Sequence, residues 1–569
     1  MLSPSSTVLL ALALAAASAA AGAGAAAAAP EVGSPDTATA DPPVARPETA
    51  PCAVQLFADV QFADFSPKSF SYAPPADCAP PWAAVVLEAD YSVTAGRQFD
   101  RTASIWIGGA NIYFGTTAEP SAQVSPTWHI ERDLTDYTPL FAGAQPGEVD
   151  LDNLVDSTFT GVISGSARLL FYPTAHHRRA PVVADAVLPL AAARPTGGVV
   201  ILPTGADRLA GSFSLPTNIE RAYLDVYAQS QSGDEFWYAC VPDDVAGPLQ
   251  SCGGSSFREA EITIDGTPAG VAPVFPWLFT GAIDPFLWRP IPSVQTLAFE
   301  PYRVDLTPFA GALSDGRPHE VAVAVFGANN HFSAAANLLL YLDRGSQRVT
   351  GGVLRNTLDA APVPHIEQHV DTAPDGSISA SVDTRASRCF AIAGAVQTSH
   401  GRVETEVVQT IRFSNRQTFA ISAAAYVQDI AQATTIEQRT RRTGRHRHDR
   451  DEVSQERRWP LSIHFAFTTN PDQTSAQTTE IRQRDERRES RRHDGHLVHF
   501  SLLSNAVSPA DTLLFDAAGT RVGQTGQSSS QSYFAADSDG RCYSRDIAAA
   551  AGVLTQVTDG AQCGGAPGD

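Results

Sequence analysis

Asp100 and Arg101 stand side by side at the head of the strand-like run Ala103–Ile107. A carboxylate beside a guanidinium at a strand end can orient water, pass a proton or grip a sugar hydroxyl. It serves equally as a structural ion pair. Four further groups set acids beside aromatics or amides within residues 100–289. They are Glu119 in Thr-Ala-Glu-Pro, Asp152-Asn153 with Asp156, the run Asp234-Glu235-Phe236-Trp237-Tyr238, and Ile283-Asp284-Pro285-Phe286-Leu287-Trp288-Arg289. Aromatic faces flanked by carboxylates suit sugar rings, whose C–H faces stack while their hydroxyls bond the acids. Taken singly, a salt bridge or a core aromatic accounts for each group better. Their concentration in one stretch of chain favours a shared site.

Other chemistries lack their patterns. His365-Ile366-Glu367-Gln368-His369 spaces two histidines like a zinc-protease helix, but its glutamate is not adjacent to the first histidine. Pro362 and Pro364 ahead of it argue for extended chain, so no metal site is assigned. His176-His177-Arg178-Arg179 follows Tyr172-Pro173 and reads as a loop. No Gly-X-Ser-X-Gly elbow sits at a strand-to-helix turn, and there is no P-loop.

The elements that must position these residues are strands. Short apolar or alternating runs recur from Val54 onward: Ala83–Leu87, Ala103–Ile107, Ala167–Phe171, Ala222–Tyr227, Glu261–Ile264, Val321–Val325 and Leu338–Leu342. Asp265-Gly266 after one such run signals a hairpin turn. Glu131–Phe141 and Tyr302–Ala312 echo one another through Asp-Leu-Thr, the mark of two sandwiches of similar topology. Breaks near Ala193–Ala206 and Gly345–Gly352 divide the chain into a first sandwich over 51–200, a second over 201–345 and a β-rich region over 346–569. Its charged runs, Thr440–Glu452 and Arg482–Asp494, read as solvated loops or hairpin ends; the alternative is a patch for an anionic ligand. Residues 30–50, rich in Pro, Ala and Thr, read as a flexible linker.

At 569 residues the chain is too long for one core. Its net charge of −21 argues against nucleic-acid binding, which needs cations to displace counterions. Leu2 to about Ala29 is Ala-rich and ends in small residues, as a secretory signal peptide does, though no basic residue precedes it. As an uncleaved anchor it would be poor, because Ala is only mildly apolar, so no stable membrane insertion is expected after its removal. Seven cysteines fit an oxidising compartment. Proximity suggests Cys52–Cys78, Cys240–Cys252 and Cys542–Cys563, although six cysteines allow other connectivities. Cys389 is then left over, and a buried position is expected for it. No asparagine lies in an Asn-X-Ser/Thr sequon.

The segments FDRTASIWIGG, TTAEP, WHIERDLTDYTPL, SGDEFWYACVP, FREAEITIDG, FPWLFTGAIDPFLWRPI and YRVDLTPFAG occur in this order over about 55–343. With them the chain resembles the peptide-N4-(N-acetyl-β-glucosaminyl)asparagine amidase A family of plants and fungi. SHGRVETEV and IRFSN extend the resemblance more weakly beyond 350. The family is similar in turn to a flavobacterial amidase in which two jelly-roll sandwiches flank a cleft. The resemblance implies an all-β fold of two adjacent jelly-roll-like sandwiches followed by a further β-rich domain. It implies a secreted amidase, without cofactor, that releases the glycan from N-glycopeptides or denatured N-glycoproteins and leaves aspartate. A glycoside hydrolase, which also uses paired carboxylates, and a non-catalytic glycan-binding or wall protein are the alternatives. By the same resemblance Asp100 and Glu235 are catalytic, with Arg101 holding Asp100 ionised. Glu119, Asn153, Asp156, Trp237, Asp284, Trp288 and Arg289 then contact substrate. Pro285 stands where the relative has arginine, a departure that leaves open whether Arg289 takes over.

Overall fold

The computed structural model describes residues 30–175, 178–444 and 450–563. The leader, His176-His177 and the middle of the first charged run (445–449) lie outside the described residues. The fold is all-β, and every apolar run named above lies within a strand. The first sandwich has one sheet ordered Cys52–Phe62, Ile163–Pro173, Trp82–Val93, Thr127–Asp133. Its other sheet is ordered Lys68–Tyr72, Gln145–Asp150, Thr102–Ile107, Ala110–Thr116.

The second sandwich repeats this order. One sheet runs Val200–Leu202, Phe332–Leu342, Ile219–Ser230, Tyr302–Asp305; the other runs Leu209–Ser214, Pro318–Phe326, Glu259–Ile264, Thr267–Pro273. The Asp-Leu-Thr echo falls at the same topological point in both, between the sixth and seventh strands. Asp133 and Asp305 each accept a hydrogen bond from the amide two residues on, at 2.8 and 3.0 Å, and a 3-10 turn follows. Leu134 and Leu306 each donate to the strand beside them, at Val85 and Ala222. Asp265 and Gly266, both at positive φ, close the hairpin between Ile264 and Thr267.

Phe332–Leu342 shows how the sandwiches join. It is buried along almost its whole length, because alternate residues enter different cores. Leu338 and Leu340 pack in the second sandwich, and Leu339 and Tyr341 in the first. Buried polar groups fix the register of this interface: Tyr137 donates to Asp225 at 2.9 Å, and Tyr113 donates to the Leu297 carbonyl at 2.6 Å. The expected boundary at 200 shifts earlier, since Ala186–Pro189 already pairs with Phe332–Leu342.

From Thr350 onward an eleven-stranded antiparallel sheet follows, with strands as long as Ile378–Thr398 and Gly401–Ile421. Burial alternates along them. The inner face, with Ile411, Phe413, Trp459 and Ile481, belongs to the same apolar cluster as the second sandwich. Residues 346–569 therefore share a core with residues 201–345. Of the first charged run, 440–443 and 450–452 are strand, and of the second, 482–493 is strand up to a turn at Asp494; the loop reading is replaced by the ends of paired strands on a sheet with one wet face. There they pair across strands, Arg441 with Glu452 at 3.1 Å and His493 with Asp451 at 2.8 Å.

Two other expectations change. Cys389 is exposed, since it falls on the outward parity of its strand. Residues 30–50 are not free linker: Ala38 and Ala40 are buried, the Ala40 amide donates to Gln531 at 2.7 Å, and Thr37 bonds Thr127. The three expected disulfides are present.

Candidate active site

Asp100 precedes Thr102–Ile107 on the first sandwich and is held from several sides. Gln98 donates to the Leu154 and Gly161 carbonyls and accepts from the Phe99 amide, which fixes the approach to Asp100. Glu119, in the loop after Ala110–Thr116, accepts the Asp100 amide at 3.0 Å. Gly281, from the long connection between Thr267–Pro273 and Tyr302–Asp305, brings its backbone N–H against the Asp100 carboxylate, where it favours the charged form. A Cβ at Gly281 would lie 2.4 Å from Asp100 Oδ1 and 2.6 Å from Glu119 Oε1, so only glycine lets this backbone approach.

Glu235 comes from the second sandwich, just after Ile219–Ser230. Its neighbour Asp234 is the anchor. Fully buried, Asp234 accepts from Arg258 at 3.0 Å and from the amides of Asn329, Asn330 and His331 at 2.7–3.0 Å. That clamp holds the turn from which the half-buried Glu235 carboxyl projects. The Glu235 carboxyl makes no hydrogen bond among the described residues, but it feels the charge of Asp100. Gln231, at the end of the same strand, donates to Thr102 and ties the sandwiches together one residue from Arg101.

The electrostatics follow from burial. Desolvation pushes Asp100 upward, against the amides that stabilise its charge. Glu119 rises to about 8 and Glu235 to about 7, each by burial first and then by the Asp100 charge. The Asp100 charge acts on both glutamates, and together with burial it makes them hold their protons toward neutrality.

The expected residues divide clearly. Asp100, Glu119, Glu235 and Arg289 converge, with Arg289 donating to the Pro120 carbonyl at 2.7 Å and lying 3.5 Å from Glu119. Arg101 does not pair with Asp100. Its guanidinium donates to Gln98 at 2.9 Å and Asn153 at 3.2 Å, so desolvation outweighs it and Asp100 rises instead of falling. Asn153 is buried and bonds the Phe62 carbonyl, a support for Arg101. Trp288 is buried and donates to the Ala282 carbonyl, and Asp284 accepts the Phe286 amide; both shape the connection from within. Asp156 caps its own exposed turn through the Thr158 and Phe159 amides. Trp237 is a core residue against Phe413 and Tyr238, because the turn after Glu235 sends it inward.

Sequence reasoning passed over Gly281, Gln231 and the Asp234–Arg258 clamp. It also passed over Phe99, exposed beside Asp100, whose ring lies 5.1 Å from Phe159 with Arg97 over both. Only Gly281 carried a signal, a glycine next to the aromatic-acid run. His365 and His369 lie exposed on the strand His365–Thr372, each beside its own acid, Glu367 and Asp371.

Set against known proteins, residues 42–358 match the family model described as peptide N-acetyl-β-D-glucosaminyl asparaginase amidase A. The peptide-N4-(N-acetyl-β-glucosaminyl)asparagine amidase A of Prunus dulcis is 32% identical over 395 residues, covering 66% of this chain and 67% of that protein. Among solved structures, PNGase F, a glycosylasparaginase from Flavobacterium meningosepticum, aligns with a TM-score of 0.35 and 15% identity, over 51% of this chain and 96% of its own. PNGF-II aligns with a TM-score of 0.35 and 12% identity, over 51% and 65%.

Proposed function

Since this chain belongs to the peptide N-acetyl-β-D-glucosaminyl asparaginase amidase A family and is an amidase of the peptide-N-glycosidase type, we propose that it cleaves the amide between an asparagine side chain and the first N-acetylglucosamine of N-glycopeptides or denatured N-glycoproteins. The observation that carries this reading is the convergence of Asp100 and Glu119 from one sandwich with Glu235 from the other. Asp100, charged and oriented by the Gly281 N–H, takes a proton from the attacking water as its oxygen bonds the side-chain carbonyl carbon. Glu235, still protonated, donates to the departing nitrogen as the C–N bond breaks. The peptide keeps aspartate, and the sugar leaves as a glycosylamine that loses ammonia spontaneously. Glu119, with Arg289 at its outer oxygen, holds the Asp100 backbone and faces the developing charge.

The leader-like segment 1–29 and the three disulfides support secretion or a secretory-pathway lumen. Incubating a glycopeptide with the protein in oxygen-18 water tests the function. The expected product is aspartate carrying one heavy oxygen. Sugar left on asparagine would mean a glycoside hydrolase, and an untouched glycopeptide would mean a binder.

A further inference from the structure

The two site-forming segments of the second sandwich are irregular backbone, whose carbonyls need donors when buried. The C-terminal sheet supplies them from amide side chains on its inner face. Asn415 donates to the Tyr238 carbonyl at 2.8 Å and Gln417 to that of Cys240 at 2.9 Å, just beyond Glu235. Gln483 donates to Pro276 at 2.7 Å and accepts from Val294 at 3.0 Å, spanning both ends of the connection that bears Gly281 and Arg289. At its centre, Gln527 donates to the Arg289 carbonyl at 2.9 Å and the Phe286 carbonyl at 3.3 Å. Arg521 lies over the Phe286 ring at 4.1 Å, which Arg289 also approaches at 5.0 Å. The carboxyls of Asp284 and Asp511, both buried, each leave one oxygen without another partner, and burial with the Asp284 charge pushes Asp511 up to about 7, so Asp511 keeps its proton toward Asp284.

We propose that the C-terminal sheet is a positioning element of the active site, in which Gln527 and Asp511 place the segment 281–289 so that Gly281 meets Asp100 and Arg289 meets Glu119. Those strands, His496–Phe515 and Arg521–Asp537, lie beyond the family-model match at 42–358. The inference rests on the site assignment above. Ordinary interface packing would make the same bonds, so the test needs a readout that packing alone does not move.

That readout is the pH profile of glycopeptide cleavage by the full chain. Around the reacting acids stand Asp100, Glu119, Glu235, Arg101 and Arg289, with Asp284, Asp511 and Arg521 behind the segment. Retreat of the Gly281 N–H and the Arg289 guanidinium removes groups that stabilise the charged forms of Asp100 and Glu119, so the acid limb must move to higher pH. Gln527→Met keeps side-chain length and loses both donors. Its expected behaviour is a kcat lower by roughly tenfold or more, a KM within about twofold, and an upward-shifted acid limb. Gln531→Met removes an equivalent amide that holds Ala40 instead, and should leave the profile unmoved. A Gln527→Met profile that overlays the wild type after vertical scaling overturns the proposal. If that variant does not fold, Asp511→Asn, whose amide still donates to Asp284, is compared with Asp511→Leu. A shifted limb in Asp511→Leu alone supports the proposal, and identical profiles overturn it. Absence of cleavage by the wild type would sink the function itself, a separate result.

Discussion

Asp100 makes the sharpest demands on single residues. Asp100→Asn keeps the shape and removes the base, so kcat should fall by about 10²–10⁴-fold with an unchanged circular dichroism spectrum. Retained activity would shift the role to Glu119 or Glu235. Gly281→Ala should be as damaging as a misplaced catalytic group, about 10²-fold in kcat, because its methyl would overlap Asp100 and Glu119. The pH profile carries its own sign. In the proposed mechanism Asp100 acts charged and Glu235 protonated, so kcat/KM should rise as Asp100 ionises and decline as pH passes about 7, with Glu119 following near 8. Stability moves the same way. Both glutamates have folded-state values above the ordinary 4.5, so their contribution is complete below that pH and is lost as pH rises through about 7 and 8. Thermal melts at pH 6 and pH 9 should show the lower midpoint at pH 9.

Single elements explain why neighbours in sequence take opposite roles. Asp234 and Glu235 are adjacent acids, yet one is clamped by Arg258 and three backbone amides while the other faces the cleft. Exposed pairs such as Arg412–Glu437 contribute about 0–1 kcal/mol, whereas breaking a buried pair by removing one partner costs about 3–5 kcal/mol. Arg258→Met should therefore lower the denaturant midpoint sharply and detach the Glu235 turn, whereas Arg412→Met should do neither. Equal midpoints for the two variants would refute the clamp. Legibility follows the same division. The strands were readable from alternation and the paired topology from the Asp-Leu-Thr turns. The second run of charged residues read as loop because a strand with one wet face at residues such as Arg482 and Arg484 mimics a solvated segment.

Across the whole molecule, segment 30–50 works as a strap. Gly33 donates to the Leu554 carbonyl and Leu554 to that of Ser34, Ala38 donates to Pro290, and Arg46 bridges Glu88 and Glu131 at 2.6 and 2.7 Å. The strap thus joins the C-terminal sheet, the end of the site connection and the first sandwich. Asp41, partly buried between Asn505 and Gln531, is pushed up to about 6 by burial and by the charge of Glu300. Its raised value means that its contribution to stability is complete below 3.8 and is lost as pH rises through about 6. Asp41→Asn keeps the acceptor and removes the buried charge, so it should stabilise the protein by on the order of 2 kcal/mol at pH 8 and by little at pH 4. Melting temperatures at the two pH values check this, and a gain at pH 4 equal to that at pH 8 would contradict it.

The sequence by itself determined the strands, the two-sandwich repeat and the family, and it put forward the disulfide pairs by proximity and the acids at 100, 119 and 235 by motif, because alternation, turn chemistry and motif order are local properties. Tertiary structure alone decided that Arg101 turns away from Asp100, that Trp237 is core, and that the connection after Pro273 brings Gly281 to the carboxylates. It also decided that a sheet beginning at Thr350 holds the site loops. Each of these depends on which distant carbonyl, amide or ring occupies the space beside a side chain. That choice is made by packing across the sandwiches, where desolvation outweighs the charge of a sequence neighbour.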